Sequence, residues 1–225
     1  MKIMKNYFTV NDTSIKFRKN YVKKTYILKK IPSNESNKVS KLIHKYYIHL
    51  KKSKISIPKL LSKDGLTFNF EYCGPSLMDI LKEDNLSHSF MKDLHDQIED
   101  MLKKCRKYKI GLDPHIKNFT YIDNKVFYVD TFPPVSREYI SLLTKYNSEF
   151  SKEIKLHLKN YMPEKLAYHF LADLKKTKEL NKDFFKIAKK SLIQNRFIRR
   201  FDIQKVNEII KIEKANLTKK EFSLS

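Results

Sequence analysis

Glycine is scarce in this chain of 225 residues: Gly65, Gly74 and Gly111 are the three. They are too scattered to form the G-x-G-x-x-G turn that wraps backbone amides around a phosphate. Cysteine is scarcer still, with Cys73 and Cys105 alone. Two cysteines are too few for a disulfide framework or a zinc site, so both read as ordinary residues of a reducing compartment, and a cytoplasmic location is expected. No apolar run approaches the ~20 residues needed to span a bilayer, so no membrane span is expected. The N-terminal Met1-Lys2-Ile3-Met4-Lys5-Asn6-Tyr7 has no long apolar core and no small-residue cleavage site, which predicts no signal peptide. Acidic residues are outnumbered, 25 against 47 basic ones, leaving a net charge of +22.

Arginine supplies only 6 of the basic residues, and asparagine and isoleucine are abundant. An AT-rich coding sequence yields that composition by codon bias, which gives a solvated lysine-rich surface. The other reading is a surface that neutralises phosphates and releases counterions. Half the arginines, Arg196, Arg199 and Arg200, cluster near the C-terminus, about two turns after Lys189 and Lys190 on one predicted helix. That helix is the candidate for nucleic acid or another anionic partner, with a plain solvated face as the alternative.

Against these shortages, 41% of residues are hydrophobic and 12% aromatic, so the chain is globular, with length for one large domain or two small lobes. Strand patterns run over Tyr7–Val10, Ser14–Phe17 and Tyr21–Ile31, separated by Asn11-Asp12 and Lys19-Asn20 turns. Val39, Leu42, Ile43, Tyr46, Tyr47 and Leu50 recur at helical spacing. Two more strands, Ile57–Leu61 and Leu66–Tyr72, end at Gly74-Pro75. Ser87 or Ser89 caps a long helix whose apolar face includes Phe90, Leu94, Ile98, Met101, Leu102 and Cys105. Helical patterns return over Tyr139–Leu143, Phe150–Leu158, Leu166–Leu174, Phe184–Phe197 and Ile203–Ile212.

Between the long helix and those patterns lies the stretch Gly111 to Pro134. Asp113 and Asn118 precede an apolar strand, Phe119–Ile122; Asp123-Asn124-Lys125 turns; Val126–Val129 returns and delivers Asp130. A hairpin brings the residue before its first strand close to the residue after its second, so Asn118 and Asp130 meet. An amide oxygen and a carboxylate held together suit Mg²⁺, which takes hard oxygen ligands and shares them with nucleotide phosphates. Asp113 is then free to orient a hydroxyl. Turn formation and capping are the structural roles open to the same residues.

The order D-x-x-x-x-N, hairpin, Asp resembles the catalytic loop and metal-binding Asp of the protein-kinase-like phosphotransferases. The D-x-H-x-x-N form, with His115, is similar to that of the aminoglycoside and choline phosphotransferases. The resemblance implies an α+β, bilobal protein-kinase-like fold: a small antiparallel-sheet N-lobe over residues 1–74 and a mostly helical C-lobe over 75–225. It implies an ATP- and Mg²⁺-dependent phosphotransferase acting on a hydroxyl of a small-molecule acceptor. In its terms Asp113 is the catalytic acid/base, with His115 beside it, and Asn118 and Asp130 are the metal ligands. Lys29, or Lys30 in the alternative register, is the phosphate-binding lysine, and Glu71, Tyr72 and Cys73 form the hinge that meets adenine. Glu35 is the acid available to pair with the strand lysine. Gly111 stands where the family usually has His, Asp130-Thr131-Phe132 replaces Asp-Phe-Gly, and Asn11-Asp12-Thr13-Ser14 occupies the place of the glycine-rich loop. These departures favour a small-molecule kinase over a protein kinase. They also support the alternative of a kinase-shaped binding protein without activity.

Overall fold

Alternation of inward and outward residues builds a sheet from the first part of the chain. In the computed structural model, which describes residues 2–4, 11–28, 31–133, 136–146, 158–177, 179–198 and 202–221, five antiparallel strands pair: β1 (Lys2–Met4), β2 (Asn11–Phe17), β3 (Tyr21–Leu28), β4 (Leu60–Asp64) and β5 (Thr67–Glu71). Their order is β1-β2-β3-β5-β4. The period of two in β3 turns Val22, Lys24 and Tyr26 to the buried face and Lys23 and Ile27 outward. The expected strand over Tyr7–Val10 lies outside the described residues, as do Lys29 and Lys30.

Helix α1 (Ser36–Lys52) crosses between β3 and β4, with Val39, Ile43, Tyr47 and Leu50 on its buried face. After β5 come a single turn, α2 (Leu77–Ile80), and the long α3 (His88–Tyr108). The Ser87 hydroxyl accepts from the Phe90 N–H and caps α3, while Lys109 ends it in the left-handed conformation at φ 55°. A hairpin of β6 (Phe119–Ile122) and β7 (Lys125–Tyr128) follows. Lys125 is paired with Ile122, so the turn is two residues long. Asp123 and Asn124 both take positive φ, 49° and 59°, as a type I′ turn requires. Among the described residues the remainder is mostly helical: α4 (Arg137–Tyr146), α5 (Leu166–Lys176), α6 (Lys182–Gln194) and α7 (Ile203–Glu221). The result is an α+β chain with one small antiparallel sheet, one hairpin and a mostly helical remainder.

Two apolar cores form. One holds Tyr26, Val39, Ile43, Phe68 and Phe70 from the sheet and α1, and also Phe132 with Tyr139, Leu142 and Leu143 of α4. The other is built from α3, the hairpin and α5 to α7, and takes Tyr46 and Leu50 from α1. The cores therefore interlock on either side of residue 74. No helix among the described residues is long and apolar enough to cross a membrane.

Candidate functional site

The connection after β5 is held down along its length. Tyr72 N–H donates to the Asn20 carbonyl at 3.3 Å, and Tyr121 N–H donates to the Pro75 carbonyl at 3.1 Å. Gly74 sits at φ 83°, where a Cβ would stand 2.0 Å from the Tyr121 carbonyl oxygen. Only glycine fits this approach. The same connection forms one wall of a cleft of about 470 Å³ between the sheet and the helical part. Glu71, Tyr72 and Cys73, the three residues expected there, line it. The Tyr72 amide is spent on Asn20, so that group is not available to a ligand. The aromatic rings of Phe17 and Tyr72 meet edge to face at 6.5 Å and stay largely exposed at the cleft.

Lys24, Lys117 and Val129 line the cleft toward the hairpin. Lys24 is a strand lysine that lines this cleft, while the expected Lys29 and its alternative Lys30 lie outside the described residues. Its ammonium is buried and donates to the Val129 carbonyl. Burial lowers its proton affinity, and the carboxylate of Asp130 partly restores it. Asp130 is in turn pushed up, first by burial, then by the Asp113 charge, with Lys24 opposing. Its Oδ1 accepts the Phe132 N–H at 3.1 Å. The sequence carries a signal for Lys24: it shares the parity of Val22 and Tyr26 on an inward strand face, where a lysine is out of place.

Glu35 does not reach this place. It lies in a 3₁₀ turn, Ser33–Glu35, and accepts from the Tyr146 hydroxyl at 2.9 Å, with Lys145 at 3.8 Å. The buried positions of α1 carry no acid, so Lys24 has Asp130 as its charged neighbour instead of a helix glutamate.

The hairpin register, with Phe119 opposite Tyr128, sets Val129 rather than the expected Asp130 against Asn118, and Asp130 follows one residue beyond. The Asn118 carbonyl accepts from Val129 N–H at 2.8 Å, closing the hairpin's open end, and its side-chain Nδ2 donates to the Asp113 carbonyl at 3.1 Å. That bond fixes the amide and frees Oδ1. A side-chain amide oxygen and a carboxylate are donor types that Mg²⁺ takes. Asp113 is positioned by the Tyr128 hydroxyl, which accepts its N–H at 3.1 Å. The Gly111 carbonyl accepts from the Tyr46 hydroxyl at 2.8 Å, so α1 braces the loop at the position where a histidine would stand in the resembled family.

His115 is more deeply engaged than the sequence suggests. Its Nδ1 lies 2.8 Å from Asp173 Oδ1, and its Nε2 lies 3.4 Å from Asp113 Oδ1. Burial alone would lower its pKa, but the carboxylates of Asp113 and Asp173 outweigh that and hold it up at about 9. Burial opposes charge on Asp173 too, yet His115 and Lys176 drive its pKa well below the usual carboxylate range. Asp173 also accepts the Ile116 N–H at 2.7 Å, tying α5 to the loop. His169, one turn before Asp173, packs edge to face on His115 at 4.9 Å. Neither Asp173 nor His169 was singled out from sequence. The available signal is a histidine and an aspartate four apart on an otherwise apolar helix.

Of the expected basic cluster at the C-terminal helices, one arginine is described, and it lies off the helix. α6 ends at Gln194, and Arg196 follows at φ 55°, exposed and off the helix that carries Lys189 and Lys190. Arg199 and Arg200 lie outside the described residues. His95 is fully buried on α3 between Phe170 and Phe184. Cys73 and Cys105 are free, and burial raises their thiols to about 11 and 12. No protein-family model matches the chain, and no curated protein sequence matches it.

Proposed function

We propose that the chain is an ATP-dependent phosphotransferase of bilobal kinase-like fold that transfers the γ-phosphoryl group to a hydroxyl of a small molecule. The observation that carries this reading is a run of hydrogen bonds. A buried strand lysine lines a cleft bounded by a strand-to-helix connection and bonds to Val129, the neighbour of the Asp after the hairpin; Val129 in turn bonds to the loop Asn, whose side chain bonds to the loop Asp. In kinases the phosphate-binding lysine is on the third strand, and the two metal-holding residues are the loop Asn and the later Asp. In this reading Lys24, Asn118 and Asp130 take those roles.

Adenine would lie against Tyr72, Cys73 and Phe17, whose apolar surfaces suit a flat base. Lys24 would reach the phosphates, and Lys117, on the facing wall, adds a second positive charge where no glycine-rich loop exists. Asn118 and Asp130 would hold Mg²⁺, which neutralises charge on the transferring group. Asp113 would accept the proton of the incoming hydroxyl, with Oδ1 buried and free of hydrogen bonds among the described residues. Phosphoryl transfer depends chiefly on positioning and charge neutralisation, so these few groups are sufficient. A small acceptor is favoured because α4 starts at Arg137, seven positions after Asp130, with no length for an activation segment.

The test pairs binding with turnover. MgATP is expected to raise the melting temperature of the wild-type protein. Asp113→Asn should keep that shift while losing γ-phosphate transfer to a panel of amino alcohols and sugars by about 10³-fold or more. Absence of any Mg²⁺-dependent shift at millimolar ATP would refute the reading.

A further inference from the structure

Asp113, His115 and His169 each present a ligand atom, and these atoms all lie within 4.8 Å of one another. We propose that they form a second cation site, for a late first-row divalent ion such as Zn²⁺. It is separate from the oxygen pair of Asn118 and Asp130, and its occupancy withholds Asp113 from the acceptor. The inhibitory part rests on the phosphotransferase reading; the site itself does not.

Three features support the assignment. Asp113 Oδ1 is buried and accepts no hydrogen bond among the described residues, while Nε2 of His115 stands 3.4 Å from it. Two ligands each about 2.0–2.1 Å from a tetrahedral ion stand about 3.4 Å apart, so this pair already has the spacing of two zinc ligands. The opposite nitrogen of His115 is held by Asp173 Oδ1 at 2.8 Å, and the other oxygen of Asp173 is fixed by Ile116 N–H. A carboxylate on the far nitrogen is the outer-shell arrangement that aims a metal-binding histidine. His169 completes a two-histidine, one-carboxylate set with imidazole donors that Mg²⁺ does not favour and Zn²⁺ or Co²⁺ does. On binding, the proton on Nε2 leaves to solvent and the bond from Nδ1 to Asp173 is kept. A fourth position is left for water or an acceptor group, as in sites with three protein ligands.

The experiment uses the full chain without an affinity tag, stripped of metal and held in millimolar Mg²⁺. Titration with Co²⁺ should give the intense visible bands of a four-coordinate site, saturating at one equivalent and displaced by Zn²⁺. Calorimetry with Zn²⁺ should show one site, weakened about 100-fold or more by His169→Gln and by Asp113→Asn. Asp173→Asn, which touches no metal, should weaken it about 10–100-fold. Asp130→Asn should leave it unchanged, and circular dichroism of each variant checks folding. Zn²⁺ binding indifferent to both His169→Gln and Asp113→Asn, or no binding at all, would overturn the site and leave His115 in an ion pair only. Both readouts need neither ATP nor turnover, so a failed phosphotransfer assay leaves them standing. If phosphotransfer holds, one equivalent of Zn²⁺ should abolish it; full turnover at saturating Zn²⁺ would overturn the inhibitory part.

Discussion

Lys24 is a charge buried without a close carboxylate; its nearest bond is to a backbone carbonyl, and Asp130 acts on it through space. Such a group is costly to the fold. Lys24→Met should therefore cost less than about 1 kcal/mol, or even stabilise, by thermal melts, while losing most of the MgATP shift. A melt that drops sharply in Lys24→Met, with the nucleotide shift preserved, would make the lysine structural. His95 offers a pH test. Burial lowers its pKa, so the unfolded chain binds a proton more readily below about 6.5 and stability falls as pH drops through that range. Asp96 and Glu99 of the same helix lie 3.8 Å from its Nδ1 and soften the effect, as they attract the charged form. The facing residues of α5 and α6, Phe170 and Phe184, carry no charge. His95→Phe should flatten the pH 7 to 5 decline by up to about 1.4 kcal/mol per unit, measured by denaturant titration at each pH. At this scale the sequence is least informative. The bond of Asn118 to Asp113 and the hairpin beside it are legible because both are local, although the hairpin sets Val129, one residue before Asp130, against Asn118. Lys24, His169 and Asp173 carry only the local signal of a polar residue on an apolar face, and what each of them meets is set by elements far apart in the chain.

Elements were more legible, because periodicity and caps are local. Ser87 caps α3 and Asp202 accepts the N–H groups of Gln204 and Lys205 at the start of α7, both as the side-chain chemistry suggests. Boundaries moved where a turn residue decided them. The hairpin turn is Asp123-Asn124 alone, since Lys125 joins the ladder. The helix expected to carry Arg196 stops at Gln194, where the chain turns left-handed two residues later. Two predictions belong here. Asn124→Gly should stabilise by a few tenths to about 1 kcal/mol, because φ 59° suits glycine better than asparagine. Gly74→Ala should cost about 2–4 kcal/mol and reshape the cleft wall, because its Cβ meets a backbone oxygen rather than a side chain that can yield. Denaturant melts check both, and a neutral Gly74→Ala would show that the Tyr121 backbone moves freely.

For the whole molecule, the +22 charge is the feature whose meaning is spread most thinly, since the described arginine of the C-terminal cluster stands apart from the helix lysines. The interlocked cores say more. Phe132 and α4 fill the core under the sheet, while Tyr46 and Leu50 of α1 fill the helical one. Neither half is apolar-complete without segments from the other side of residue 74. Heating or denaturant should then produce one transition with coincident probes, and a fragment beginning at residue 75 should not fold alone. This implies a particular economy of motion. The sheet cannot swing as a free body against the helices, so opening and closing around a ligand would have to come from shear within packed side chains, over small distances, with the cleft largely formed before anything enters it.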